Sequence, residues 1–201
     1  MSRRLPLVLL PVALIMALVL GYYIWQASDG LPGLGRVVSE GTPSIGGPFT
    51  LIDQDGRKRS SADFRGRYML IYFGYSYCPD VCPTTLALMG DALAKVDPKG
   101  ARIVPIFITI DPERDTSARM KAYVRAFGPQ FVGLTGDVKT IGKVAGDYRV
   151  YFTKHPLDGG NYGMDHSSVI FLMGPDGKFI GYWDDTAIGP DKLAQELREK
   201  T

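Results

Sequence analysis

Two cysteines at the junction of a predicted strand and a predicted helix constrain this fold most. Cys78 and Cys82 are the only cysteines, and they stand in the run Cys-Pro-Asp-Val-Cys-Pro. The apolar residues 69–73 before them predict a buried strand, and residues 83–96 place apolar side chains at helical spacing. Thiols at a helix N-terminus meet the positive end of the helix dipole, which favours the thiolate. This position suits redox chemistry or the binding of a soft metal ion.

Strands and helices are also predicted along the rest of the chain. Residues 48–52 and the following Asp-Gln-Asp-Gly predict the first arm of a hairpin, and residues 174–177, Gly-Pro-Asp-Gly, predict the turn of another. The other predicted elements are a short helix at 60–64, strands at 103–110, 131–134, 149–153, 168–173 and 179–183, helices at 116–127, 137–148 and 190–200, and a glycine-rich loop at 155–164. This order predicts a thioredoxin-like α/β fold, in which helices flank a central mixed β-sheet and a hairpin is added at the N-terminal side.

An uncharged run near the N-terminus predicts a membrane anchor. Residues 5–25 carry no charge and suffice to cross the roughly 30 Å hydrocarbon core of a bilayer. Arg3 and Arg4 precede the run, so the positive-inside rule keeps the N-terminus in the cytoplasm and exports the rest. We therefore expect a transmembrane anchor at 1–26, a flexible linker at 27–44 and a globular domain at 45–201.

A cleaved signal peptide is the alternative for this N-terminal run. Cleavage requires small residues near the cut, whereas Tyr22, Tyr23 and Trp25 are bulky, although Ala27 and Ser28 leave cleavage open. No Arg- and Ser-rich transit peptide precedes the run. The sequence thus favours a single-pass protein of the bacterial inner membrane, with its globular domain in the periplasm.

The charge balance argues against a nucleic-acid partner. The formal net charge is +2, and setting aside Arg3 and Arg4 leaves equal numbers of basic and acidic residues in the exported part. A neutral domain offers no general electrostatic attraction for phosphate.

A structural disulfide is the simplest alternative for the two thiols. A bridge over so few residues stabilises little, because the constraint grows with the loop that it closes. We therefore favour a redox or metal-binding role. Pro83 disfavours the α conformation at Cys82 and suits the first helical position, so we expect Cys82 at the N-cap and Cys78 in the preceding turn.

His166 is the histidine most favourably placed to join the thiols. In thioredoxin-like folds the loop before the predicted strand at 168–173 packs against the cysteine turn. Two thiolates and one imidazole suit copper, whereas a closed zinc site would need a fourth ligand such as His155. Asp165 either orients His166 or is solvated, and Met164 either offers its thioether or packs in the core.

Four motifs in this order resemble the Sco/SenC family, and the resemblance covers about residues 46–200. They are Tyr-Ser-Tyr-Cys-Pro-Asp-Val-Cys-Pro-Thr at 75–84, Thr-Ile-Asp-Pro-Glu-Arg-Asp-Thr at 109–116, Asp-His-Ser-Ser at 165–168 and Gly-Pro-Asp-Gly at 174–177. Residues 111–115 by themselves indicate only a turn and a helix start with local ion pairing.

The resemblance implies a thioredoxin-like domain that binds one copper ion, Cu(I) or Cu(II), through two cysteines and a histidine. These ligands fall on Cys78, Cys82 and His166. It also implies a role in assembling the copper A site of cytochrome c oxidase subunit II, with copper or reducing equivalents supplied by a periplasmic donor.

Three functions follow as hypotheses. The first is a membrane-anchored copper metallochaperone, which is not an enzyme. The second is a thiol–disulfide oxidoreductase that keeps the copper A cysteines reduced, or a peroxide-reducing enzyme, with Cys78 attacking and Cys82 resolving. The third is a redox or copper sensor that signals through a partner.

Overall fold

A computed structural model describes residues 14–23 and 44–201. Residues 14–23 form a helix, α1, with exposed side chains. The rest of the predicted anchor at 1–26, and all of the predicted linker except residue 44, lie outside the described residues. Within the described ranges no helix combines the length and the apolar character needed to cross a bilayer. The chain divides into two compact units, Met1–Gly41 and Thr42–Thr201.

A seven-stranded mixed sheet forms the centre of the second unit. Its strands are β1 Thr50–Asp53, β2 Lys58–Ser60, β3 Tyr68–Gly74, β4 Ile103–Thr109, β5 Val132–Thr135, β8 Val169–Met173 and β9 Phe179–Asp184. They lie in the order β2-β1-β5-β4-β3-β8-β9. β3, β4 and β5 run parallel, whereas β1, β8 and β9 each run antiparallel to their neighbours.

The central strands are apolar because helices cover them. Every residue of β4 is buried, as is every residue of β3 after Tyr68. Such continuous apolar runs are typical of parallel strands that are covered on both faces. Strand β3 lies between β4 and β8, and this pairing on both sides holds the carboxyl end of β3 in place. The two cysteines follow directly after that end.

The second unit also contains four α-helices and two short 3₁₀ helices. They are the 3₁₀ helices Ser61–Phe64 and Asp158–Gly160 and the α-helices α2 Val81–Val96, α3 Ser117–Arg125, α4 Val138–Asp147 and α5 Pro190–Lys200. Ser60, Thr116 and Asp137 each accept a backbone N–H at the start of a helix, as their side chains favour. Helix α5 packs against α2. The predicted cap at Asp137 and the predicted helix at 190–200 are confirmed.

The prediction of a loop at 155–164 is wrong, because half of these residues lie in two paired strands. Strands β6 Phe152–Pro156 and β7 Tyr162–His166 pair as an antiparallel hairpin, separate from the main sheet, which we call the histidine hairpin. Gly159 and Gly160 have positive φ and turn the chain between the strands. The composition indicated a loop because glycine and polar residues are poor strand formers, yet backbone pairing overrides that preference here.

Candidate metal centre

The two cysteines lie where strand β3 passes into helix α2. The cysteine loop, residues 75–80, joins these elements, and Cys82 lies inside the first turn of the helix. Gly74 makes room for Cys82, since a Cβ at Gly74 would lie 2.8 Å from the Cys82 sulfur and 2.9 Å from the Phe107 ring. Sequence reasoning missed Gly74, because only the fold brings its Cα against that sulfur.

The predicted start of helix α2 is wrong by two residues. The helix begins at Val81 with Asp80 as N-cap, so Cys82 is a helical residue and not the cap. Pro83 is tolerated there because the first N–H groups of a helix have no intrahelical partner, so its missing donor costs nothing.

The sulfur of Cys78 takes the place of a capping side chain. Asp80 makes no side-chain cap hydrogen bond, whereas the backbone N–H of Cys82 donates to Cys78 Sγ at 3.4 Å. Both cysteines are free thiols; Cys78 is half-buried and Cys82 is fully buried. The site therefore has one accessible sulfur and one sulfur enclosed by the core.

His166 comes to the same place from the histidine hairpin. It is the last residue of β7, and its Nε2 lies 3.4 Å from Cys82 Sγ. Its Nδ1 lies 3.0 Å from the carbonyl oxygen of Ser167, which can only accept a hydrogen bond. Nδ1 therefore carries a proton in either charge state, and Nε2, which faces the sulfurs, has a lone pair in the neutral imidazole and an N–H in the charged one.

Aromatic rings enclose the imidazole on two sides. The ring centroids of Tyr72 and Tyr75 lie 6.0 and 6.2 Å from that of His166, both in edge-to-face geometry. Tyr72 is fully buried and Tyr75 nearly so. These contacts restrict the rotation of the imidazole and keep water from one side of the site.

The two thiols differ in pKa, so one of them ionises more readily than the other. The hydrogen bond from Cys82, together with those of His166 and the helix N–H groups, lowers the pKa of Cys78 far below that of an ordinary thiol, despite partial burial. That same bond to Cys78 and burial raise the pKa of Cys82. Burial lowers the pKa of His166, but its bonds to Cys78 and the Ser167 carbonyl outweigh burial and raise it overall. Cys78 is thus the thiolate.

The other residues considered for the site lie elsewhere or serve the core. Adjacent strand residues face opposite sides, so Asp165 points away from His166 and lies 3.3 Å from His155 Nδ1. The Ser167 carbonyl, and not Asp165, orients His166. His155 lies in β6 and not in the surface loop that we expected. Met164 is buried in the core cluster.

Three buried side chains with polar atoms, Tyr72, Thr85 and Asp185, lie near the candidate site. Thr85 donates to Asp185 at 2.5 Å, and both side chains are buried. The hydroxyl of Tyr72 and Oδ1 of Asp185 are buried without a hydrogen-bond partner. Burial, reinforced by the charge of Asp185, raises the pKa of Tyr72. Tyr72 therefore stays a neutral phenol beside the site.

The donor set matches a soft, low-coordinate cation. Two sulfurs and one imidazole nitrogen are the ligands that copper prefers, and the surrounding shell is apolar and aromatic. In the described part of the chain no three His, Cys, Asp or Glu side chains already stand at the spacing of a metal site. A bound ion would therefore draw Cys78, Cys82 and His166 closer together.

The fold and this thiol–imidazole site define a thioredoxin-like protein with a paired-cysteine centre. The SCO1/SenC family model matches residues 37–201, and the chain belongs to that family.

Relatives and solved structures agree with this assignment. The chain is 42% identical to the mitochondrial SCO1 homolog of Homo sapiens over 71% of this chain and 48% of that protein. It thus spans about half the length of the curated relatives it matches. Two solved structures of ScoI with copper bound are similar in fold. For Arabidopsis thaliana the TM-score is 0.74, with 38% identity over 78% of this chain and 97% of that one. For Bradyrhizobium japonicum the TM-score is 0.72, with 42% identity over 78% of this chain and 99% of that one.

Proposed function

We propose that this protein is a copper metallochaperone that assists assembly of the copper A site of cytochrome c oxidase subunit II. The observation that carries the proposal is the approach of His166 Nε2 to within 3.4 Å of the buried Cys82 sulfur. This contact joins an imidazole from one segment to the thiol pair of another. The copper bound in the similar ScoI structures supports the choice of metal.

Cys78, Cys82 and His166 would bind one copper ion per chain. Cys78 already carries the charge that a cation requires, and in the neutral imidazole the lone pair of Nε2 faces the sulfurs. Cys82 must release a proton on binding, since its pKa is raised. Copper uptake therefore weakens as the pH falls.

Delivery would proceed by exchange of ligands with acceptor thiolates. Cys78 is the sulfur that an approaching protein can reach, whereas Cys82 is enclosed. An incoming thiolate would bind the copper on the Cys78 side, and the protein's own ligands would then release it. The proposed acceptor is the cysteine pair of the copper A site, and a periplasmic protein is the proposed copper donor.

We further propose the domain plan and location that the sequence predicts. Residues 1–26 would anchor the chain in the bacterial inner membrane, residues 27–44 would form a linker, and residues 45–201 would lie in the periplasm as the copper-binding domain. The positive pair Arg3 and Arg4 supports this orientation.

The two histidines give a matched test of the ligand set. Copper affinity is measured by competition with a Cu(I) chelator for the parent, His166→Ala and His155→Ala. His155 lies on the opposite face of the histidine hairpin, so its variant should bind as the parent does. His166→Ala should bind at least tenfold more weakly. Equal affinity of His166→Ala and the parent would overturn the three-ligand site.

A thiol–disulfide oxidoreductase is the second candidate, and the unequal thiols favour it. An accessible thiolate at Cys78 beside a buried thiol at Cys82 is the arrangement of an attacking and a resolving cysteine. Such an enzyme would reduce the copper A cysteines before copper arrives.

Rescue of a deletion strain separates delivery from reduction. Loss of the protein should lower both the copper A content and the oxidase activity. Added copper restores them if delivery is the task, whereas only an added reductant restores them if thiol reduction is the task.

A further inference from the structure

The segment 111–115, Asp-Pro-Glu-Arg-Asp, links the two halves of the candidate site. It follows β4 and precedes α3, and two of its side chains, Asp111 and Asp115, are almost fully buried. The sequence predicted only local ion pairing for it. Its four charged side chains instead contact the cysteine loop, the histidine hairpin and one another.

Asp115 holds the cysteine loop. It accepts hydrogen bonds from the backbone N–H of Ser76 at 2.9 Å, from the Ser76 hydroxyl and from the Thr109 hydroxyl at 2.7 Å. Arg119 donates to the Ser76 hydroxyl at 2.6 Å and lies over the ring of Tyr77. The cysteine loop is therefore fixed to the end of β4, two residues before Cys78.

Arg114 holds the histidine hairpin. Its guanidinium pairs with Asp111 and donates to the carbonyl oxygen of Tyr162 at 2.9 Å. It also lies 3.6 Å from the centroid of the Tyr162 ring, whose hydroxyl donates to Asp111 at 2.8 Å. Glu113 pairs with Lys154 on the other strand of the hairpin. Both strands are thus attached through side chains of this segment.

The same guanidinium reaches the surroundings of the thiols and the imidazole. It lies 4.6 Å from the centroid of Tyr77, the residue before Cys78, and 5.8 Å from that of Tyr75. Tyr75 in turn contacts the edge of His166. Arg114 therefore stands between the hairpin strand that ends at His166 and the loop that carries Cys78.

The histidine hairpin needs such a tie because its strands pair only with each other. Neither β6 nor β7 belongs to the seven-stranded sheet. An isolated two-stranded hairpin is marginally stable in water, so packing and side-chain contacts must hold it in place. His166 lies at the end of β7, and its position relative to the sulfurs depends on those contacts.

We propose that Arg114 is a positioning residue that sets the approach of His166 to the two thiols. It acts through the Tyr162 carbonyl, the Tyr162 ring and Tyr75, and it does not touch the metal. The inference rests on the proposed copper site. A lysine cannot replace Arg114, because one ammonium group cannot reproduce the planar guanidinium, which pairs with Asp111, donates to the Tyr162 carbonyl and stacks on the Tyr162 ring at once.

Hydrogen exchange tests the tie without any metal. Arg114→Lys should speed amide exchange across residues 152–166 several-fold in the copper-free protein, and Tyr162→Phe should do so to a smaller extent. Arg59→Lys is the matched control, since Arg59 pairs with the buried Asp53 and lies over the Phe64 ring, away from the hairpin. Unchanged exchange in both hairpin variants overturns the proposal.

A double-mutant cycle tests the route through His166. Copper affinity, measured by chelator competition, should fall about tenfold in Arg114→Lys and stay unchanged in Arg59→Lys. Combined with His166→Ala, the Arg114→Lys change should cause no further loss, because the group that it positions is absent. An equal loss in both backgrounds overturns the proposal.

Failure of the proposed function has a different signature in the same experiments. In that case His166→Ala alone leaves the copper affinity unchanged. The exchange of residues 152–166 then decides by itself whether Arg114 fixes the hairpin.

Discussion

The cysteine loop and the histidine hairpin bring their side chains to one place, but they are held in different ways. The cysteine loop continues the central strand β3, which is paired on both sides, and Asp115 fixes it through buried hydrogen bonds. The histidine hairpin has no partner strand in the main sheet and is attached through side chains. The thiols thus form a preorganised half of the site and the imidazole an adjustable half.

Removing the carboxylate of Asp115 should cause the largest loss of stability, and it acts on the preorganised half of the site. Asp115→Ala leaves the buried donors of Ser76 and Thr109 without an acceptor, and we expect a loss of about 3–5 kcal/mol in the free energy of unfolding. Urea denaturation measures it. Asp137→Ala is the control, because that exposed cap should cost only about 1 kcal/mol. Equal losses would show that the cysteine loop is not specially held.

A methyl group at Gly74 should disturb the preorganised half next most. Gly74→Ala places a Cβ against the Cys82 sulfur and the Phe107 ring, and overpacking of this kind costs about 1–3 kcal/mol. Gly142→Ala in helix α4 meets nothing within 4 Å and should stabilise by roughly 0.5–1 kcal/mol. Urea denaturation of both variants checks the opposite signs. A neutral Gly74→Ala would contradict the close approach.

Much of this comparison was accessible from the sequence. The strand–helix junction, the order of the elements and the motif around His166 predicted the thioredoxin-like fold and the three candidate ligands. Such elements can be predicted from the sequence because apolar periodicity and cap residues act over a few neighbouring residues. The predicted cap at Asp137 is one such local signal.

The parts that sequence reasoning missed depend on long-range contacts. Residues 155–164 of the histidine hairpin were predicted as a loop because strand pairing, and not strand propensity, forms half of that segment into strands. The closeness of Gly74 to Cys82 and the reach of Asp115 to Ser76 arise only when β3, α2 and α3 are assembled. The start of helix α2 was predicted too late because Pro83 favours the first helical position, although proline is tolerated anywhere in the first turn.

Alkylation would sharpen the contrast within the thiol pair. In the copper-free protein Cys78 should react with iodoacetamide at pH values well below its ordinary pKa of 9.0, whereas buried Cys82 should react slowly throughout. Mass spectrometry of peptides labelled between about pH 5 and pH 8, where folded proteins are usually most stable, assigns each site. Equal labelling of both thiols would contradict the assignment of the thiolate to Cys78.

The smallest effect should come from protonation of His166. Its pKa is raised in the folded protein, so the charged form stabilises the fold fully below the unfolded value of 6.5, and this contribution is lost as the pH rises through the folded pKa. Thermal unfolding of the copper-free parent and of His166→Gln across that window should show the difference between them shrinking with rising pH. A difference that grows with pH would contradict the sign of the shift.

X-ray absorption of the Cu(I)-loaded full chain tests the central claim most directly, that both halves of the site bind one ion. We expect two sulfur scatterers and one nitrogen per copper in the parent, and loss of the nitrogen in His166→Ala but not in His155→Ala. A copper environment that is the same in all three proteins would contradict it.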